Sequence, residues 1–418
     1  MDEDDERVRA LGGLRPLALK RPRHDHEGRE EGEETQARER VVHIRSLTSA
    51  SRWSNGRAMP AHPDSTTPLR RIGGAVRCVA VLLAACAPHD ASPPWPAPTL
   101  GGRPPIVIAH RGASGERPEH TLAAYERAIT QGADCIEPDL VLTKDGVLVA
   151  RHDIYLSTTT DVADHPEFAA RRRLATDEGH RGLEDWFVAD FTLAELRTLR
   201  ARQAFKGRSS EFDGRYEIPT FDEVLQLATR SRTTTDARVC VYPEAKAPAF
   251  HASLGQDIGG AILAALRAHG LDAADAPVFI QSFEPAFVRE MAGRTSLPVI
   301  LLAGDTTAFA AAQAIEGAPF WDGLGVTHAM LFDSTGASSG LVEAAHADGI
   351  PVHVWTYRDD APFSPDESTE AAMRRALTLG VDGVFSDFPA TAVRVVGEMR
   401  TGAPVRPTER PNRAAAPR

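Results

Sequence analysis

Cysteine is scarce in this chain, and its surroundings lack metal-binding spacing. Only four are present, Cys78, Cys86, Cys135 and Cys240, with no Cys-x-x-Cys pair and no Cys/His ligand pattern, which speaks against a structural zinc site. Positive charge is also short. Lys and Arg number 47 against 58 Asp and Glu, a formal charge of -11. That balance argues against general nucleic-acid binding, which calls for a basic face, though it leaves room for a local cationic pocket. The apolar run Val79–Ala85 is too short to span a bilayer stably. No glycine-rich phosphate loop follows the first predicted strand, which disfavours the doubly wound open sheet, the rival α/β architecture.

What is present divides sharply near residue 100. With 418 residues and 42% apolar composition, the chain can build a sizeable core in one large domain or two ordinary ones. Residues 1–70 are rich in Asp, Glu and Arg without sustained periodicity, so they are expected to be a disordered or untranslated leader, with Met59 as an alternative start. Residues 71–86 have the order of an export signal: Arg71 and Arg77, then Val79–Ala85, then Cys86. Leu83-Ala84-Ala85-Cys86 resembles the bacterial lipobox, which implies lipidation at Cys86 and an exported protein, periplasmic or anchored to the membrane through that lipid alone. The twin arginines 70–71 hint at twin-arginine export. A polar, proline-rich linker is expected over 87–104, the globular domain over 105–400, and a disordered tail over 401–418.

From residue 105 short apolar runs alternate with helix-compatible segments. The runs are Ile106–Ala109, Asp134–Leu140, Val239–Tyr242, Val278–Phe283, Val299–Leu302, Gly323–Thr327, Val352–Thr356 and Gly383–Ser386. Helices are predicted over Thr121–Gln131, Phe221–Thr229, Gln256–His269, Thr307–Ile315, Leu341–Asp348 and Glu370–Leu379, and Gly132, Gly270, Gly349 and Gly380 stop four of them. Continuously apolar strands alternating with helices imply a parallel sheet covered on both faces, and eight such units fit a (β/α)8 TIM barrel. Residues 154–218 break the alternation and read as a subdomain inserted after the second strand and set over the barrel mouth, with a helix over Leu193–Arg202. Cys135 and Cys240 lie in apolar runs. An inert buried thiol is the default there, and a disulfide between them is the alternative.

Polar residues gather where the predicted strands end, the face that carries chemistry in such barrels. Glu137 and Asp139 are two apart and so share a strand face, and Glu244 and Lys246 repeat that spacing. Three carboxylates brought together repel unless a cation neutralises them, and an all-oxygen set suits a hard ion, Ca²⁺ or Mg²⁺. His110 and His152 each end an apolar run beside a charged residue and are candidates for general acid and base. Arg111 offers a planar fork for a phosphate, Lys246 a point charge, and Gly112 close backbone approach.

The set His110-Arg111-Gly112, Pro118-Glu119-His120-Thr121, Glu137-Pro-Asp139, His152-Asp153, Tyr242-Pro-Glu244-Ala-Lys246 and Ser386-Asp387-Phe388-Pro389 resembles the glycerophosphodiester phosphodiesterases, over about 105–397. The long insertion resembles their periplasmic, calcium-dependent branch. The resemblance implies a divalent cation, Ca²⁺ ahead of Mg²⁺, on Glu137, Asp139 and Glu244. It implies His110 and His152 as the acid–base pair, Arg111 and Lys246 on the phosphate, and Glu119 behind the arginine or the metal. His120 stands where the family reads Asn, at a position taken to cap the following helix. Gln281, Phe283 and Trp355 are expected at the mouth against substrate, with barrel packing the alternative for the two aromatics, Asp387 as a group that orients a lysine or arginine, and His353 as a core histidine. The expected activity is hydrolysis of small glycerophosphodiesters to glycerol 3-phosphate and an alcohol. The alternatives are a lysophospholipase D or sphingomyelinase-D-like activity, and a non-catalytic phosphodiester-binding lipoprotein. The sequence carries no indication of oligomeric state.

Overall fold

A computed structural model describes residues 95–175 and 181–402. The leader, the signal segment with Cys86, the first part of the linker and the tail beyond 402 lie outside the described residues. Among those described, no helix is long and apolar enough to cross a membrane.

Eight parallel strands close a ring. They are Ile106–His110; Cys135–Glu137 continued by Asp139–Leu142; Cys240–Val241 continued by Glu244–Ala245; Ile280–Ser282; Val299–Ala303; Gly323–Thr327; Val352–Tyr357; and Gly383–Ser386. Each pairs with the next, and the last pairs with the first through Ile106 opposite Gly383. Pro138 and Pro243 divide the second and third strands because proline cannot donate to the ladder. Their carbonyls still accept, from Glu244 N and Gln281 N, both at 2.9 Å, so the register runs through the breaks. Leu148–Ala150 adds an antiparallel strand beside Asp139–Leu142.

Alternation along each strand sorts the side chains. Ile108, Cys135, Cys240, Tyr242, Ile300 and Phe385 form the barrel interior, joined by Phe279 and Trp355. The opposite faces pack under the helices, as Val107, Ala109, Ile136, Leu301 and Val354 do. Glycines at inward positions make room for large neighbours. A Cβ on Gly325 would stand 2.4 Å from Leu302, and one on Gly383 would stand 2.8 Å from the His353 ring. Small residues there let large neighbours fill the layer. His353 is buried and shares a 2.7 Å hydrogen bond between its Nδ1 and Tyr242 Oη, the core role expected of it. Burial lowers its pKa to about 4.

A disulfide joins Cys135 to Cys240, which face each other across the second and third strands. The default of two inert thiols therefore fails. Parallel pairing brings the two residues to one rung inside the barrel, with Cα atoms 4.2 Å apart.

The helices start where local chemistry lets them. Thr121 Oγ1 accepts from Ala124 N to cap Leu122–Thr130, and a Thr220/Glu223 capping box opens Phe221–Arg230. Gly132, Gly270, Gly349 and Gly380 all have positive φ, as stops in the left-handed region do.

The insertion packs Tyr155, Leu156, Phe168, Trp186, Phe187, Phe191 and Leu199 into a second core shared with Val141, Val149 and Phe250 of the barrel. The helix expected over Leu193–Arg202 is one turn, Leu193–Leu196. Arg200 N donates to Asp161 Oδ1 at 2.8 Å and Arg202 N to Thr159 O at 2.8 Å, so these residues are drawn into extended pairing instead. The end of the expected linker is packed against the barrel floor. Trp95 is buried, and Leu100 N donates to Asp382 Oδ1 at 2.8 Å just before the last strand.

Candidate active site and metal centre

The C-terminal ends of the first three strands converge on one acidic centre. Glu137, Asp139 and Glu244 are all buried, and one carboxylate oxygen from each lies within 4.8 Å of the others. Flanking groups claim most of the remaining oxygens. Glu137 accepts from Arg111 N at 2.8 Å and from Gln281 Nε2 at 3.0 Å. Asp139 Oδ2 sits 2.9 Å from His120 Nε2 and 3.4 Å from Arg111 Nε. Glu244 Oε1 pairs with Lys246 Nζ at 2.9 Å. Asp139 Oδ1 is buried with no hydrogen-bond partner, the nearest cation being Lys246 Nζ at 4.0 Å. A buried, unbonded carboxylate oxygen among other carboxylates is costly alone and is what a cation would satisfy. The residues therefore fit a divalent metal with oxygen ligands.

Electrostatics agree with that reading. Burial, with Asp139 and Glu244 nearby, pushes Glu137 well above the usual carboxylate range. Burial also raises Glu244, to about 7, against the pull of Lys246 and with the push of Asp139. Burial would raise Asp139 too, but Lys246, His120 and His152 together hold it well below its ordinary value.

Both imidazoles are held at Nδ1 by a carboxylate. His110 Nδ1 lies 2.6 Å from Asp387 Oδ1, and His152 Nδ1 lies 2.8 Å from Asp153 Oδ1. His110 Nε2 accepts from Arg111 Nε at 3.3 Å, which assigns the Nδ1 proton to the Asp387 side. His152 acts on the charges of Asp139 and Glu244 and so flanks the same centre. Arg111, buried and in a positive-φ conformation, reaches Glu119 Oε2 at 3.1 Å, the partnership expected of Glu119.

Several expected roles change. Gln281 is buried and spends its amide nitrogen on Glu137, so it orients a carboxylate rather than lying open to substrate. Lys246 neutralises Glu244. His120 is not the helix cap, because Thr121 is. Its φ of 57° is a conformation that Asn and His adopt more readily than most residues, and its ring bridges Asp139 to Tyr125 Oη, 2.8 Å from Nδ1. Asp387 does take two arginines, as expected of it, through Oδ2 to Arg358 Nε at 2.9 Å and Arg208 at 2.5 Å, and it also carries His110. Phe283 and Trp355 meet edge to face, ring centres 5.4 Å apart, with Phe283 42% exposed. Sequence reasoning missed Arg208 and Arg358, whose partners are brought to them only by the closed barrel.

Comparison with known proteins places the chain in a family. The model of the glycerophosphoryl diester phosphodiesterase family matches residues 110–391. A glycerophosphodiester phosphodiesterase of Arabidopsis thaliana is 34% identical over 320 residues, 68% of this chain and 84% of the relative. One from Haemophilus influenzae is 29% identical over 359 residues, 75% of this chain and 94% of its own. Among solved structures, a phosphodiesterase of Oleispira antarctica in complex with the product sn-glycerol-3-phosphate shares the fold at a TM-score of 0.50 and 23% identity, over 71% of this chain and 99% of that one. With its acidic centre and paired imidazoles on a closed barrel, this chain belongs to the glycerophosphoryl diester phosphodiesterase family.

Proposed function

We propose that the protein hydrolyses glycerophosphodiesters to glycerol 3-phosphate and a free alcohol. The observation that carries this reading is the pair of carboxylate-held histidines, His110 and His152, beside Glu137, Asp139 and Glu244. Pure binding needs no paired acid and base. The names of the Arabidopsis and Haemophilus relatives support the same substrate class.

Glu137, Asp139 and Glu244 would hold a hard divalent cation, Ca²⁺ ahead of Mg²⁺. When bound, such an ion stabilises negative charge gathering on phosphate oxygens. One imidazole takes a proton from the attacking hydroxyl: water gives glycerol 3-phosphate directly, whereas the glycerol 2-hydroxyl gives a cyclic phosphodiester that a second attack, by water, opens to glycerol 3-phosphate. The other gives a proton to the alcohol oxygen as its bond to phosphorus breaks. The Arg111 guanidinium, fixed by Glu119, faces the phosphate, and Phe283 with Trp355 packs the carbon skeleton. A panel of glycerophosphodiesters, assayed for glycerol 3-phosphate with a coupled dehydrogenase, tests this reading. Activity should vanish with chelator and return best with Ca²⁺. Cleavage that frees no glycerol 3-phosphate would point to a lysophospholipase D or sphingomyelinase-D-like enzyme, and binding without cleavage to a carrier.

Export as a periplasmic, lipid-anchored protein belongs to the same proposal. Leu83–Cys86 resembles a lipobox, and a disulfide suits an oxidising compartment. Labelled palmitate should enter the expressed protein and be lost in Cys86→Ala.

A further inference from the structure

Arg208, in the insertion, reaches the barrel mouth where the first, seventh and eighth strands end. Its side chain is 2% exposed. It lies over Phe205, with the guanidinium 4.2 Å from the ring centre. There it donates to groups from three barrel elements: Ser114 O at 3.3 Å after the first strand, Asp360 at 2.7 and 3.2 Å after the seventh, and Asp387 Oδ2 at 2.5 Å at the end of the eighth. Arg358 donates to the same Oδ2 at 2.9 Å. Two guanidinium groups on one oxygen fix the rotation of the carboxylate and leave Oδ1 to His110 Nδ1, at 2.6 Å. A carboxylate so held sets the imidazole tautomer, with the Nδ1 proton inward and the Nε2 lone pair outward.

We propose that Arg208 is a positioning residue: through Asp387 it fixes His110, so the inserted subdomain completes the catalytic centre without touching substrate. The inference rests on the acid–base reading of His110. Other groups keep the subdomain seated without Arg208. Gln203 Nε2 donates to Ser114 O at 3.0 Å, and Arg117 stacks on Phe212, 3.7 Å from its centre. Loss of Arg208 should therefore disturb His110 more than it disturbs the fold.

The test is steady-state kinetics of Arg208→Met, Arg208→Ala and Arg208→Lys on glycerophosphocholine with saturating Ca²⁺, beside His110→Ala. A positioning role predicts kcat of Arg208→Met down on the order of 10²-fold, as for a mispositioned catalytic group, with KM nearly unchanged. Millimolar guanidinium should restore part of the kcat of Arg208→Ala and do nothing for His110→Ala. The lysine variant should fall between, because an ammonium cannot fork to two carboxylates. It also stands as the measurement if the methionine variant does not fold. A raised KM with kcat preserved would make Arg208 a substrate contact and overturn the inference, as would unchanged kinetics. Full activity in His110→Ala would instead refute the acid–base reading itself.

Discussion

Cation binding at the acidic centre should expel protons. If Glu137, Asp139 and Glu244 were all ionised, each pair at no more than 4.8 Å would repel by at least about 3.5 kcal/mol at an effective dielectric near 20. Lys246 offsets part of that, yet Glu137 stays well above the usual carboxylate range and Glu244 is raised to about 7. Near pH 7 the ion-free centre therefore holds a share of a proton on Glu244, and Glu137, raised too, takes up protons more readily than an ordinary carboxylate. Metal ligands must be ionised, so binding should release protons, at least a fraction of one per ion from Glu244. Both groups are raised, so affinity is lost as pH falls, about tenfold per pH unit for each proton released. Conversely, ion-free stability drops as pH rises through these raised values, and the thermal stabilisation by Ca²⁺ should be larger at pH 8 than at pH 5. Titration calorimetry with Ca²⁺ in two buffers of different ionisation enthalpy counts the protons. Equal heats in both buffers, with affinity flat between pH 5 and 8, would refute the reasoning.

His110→Ala and His152→Ala should each lose about 10²–10⁴-fold in kcat with circular dichroism unchanged, measured by glycerol 3-phosphate release. His120→Ala should weaken cation affinity roughly 10–100-fold, since it frees Asp139 Oδ2 from the ring that orients it, and terbium luminescence would read the change. The double variant Cys135→Ser/Cys240→Ser removes a link between residues 105 apart and should lose about 2–4 kcal/mol of stability. Urea unfolding with and without reductant checks this last expectation, and coincident midpoints would count against it.

Strand positions were legible because a buried parallel strand is an uninterrupted apolar run. Gly323–Thr327 and Gly383–Ser386 match their expected bounds, and the carboxylate cluster follows from period-two spacing on neighbouring strands. Helices at Pro285–Arg294 and Pro389–Thr401 were overlooked although each opens with proline, a favoured first helical residue. The disulfide also left a trace. Cys135 precedes Asp139 by four residues and Cys240 precedes Glu244 by four, and Asp139 lies opposite Glu244. The Arg208–Asp387–His110 chain left none. Its members are 179 and 277 residues apart, and only ring closure makes them neighbours.

The bond between Cys135 and Cys240 also makes a covalent ring of everything between them, including His152 and the whole inserted subdomain. A protease nick on that surface would yield two polypeptides that still travel as one molecule, parting in an electrophoresis gel only after the sulfurs are reduced. A clipped enzyme could thus keep its mass, and its catalytic groups, on one tethered particle.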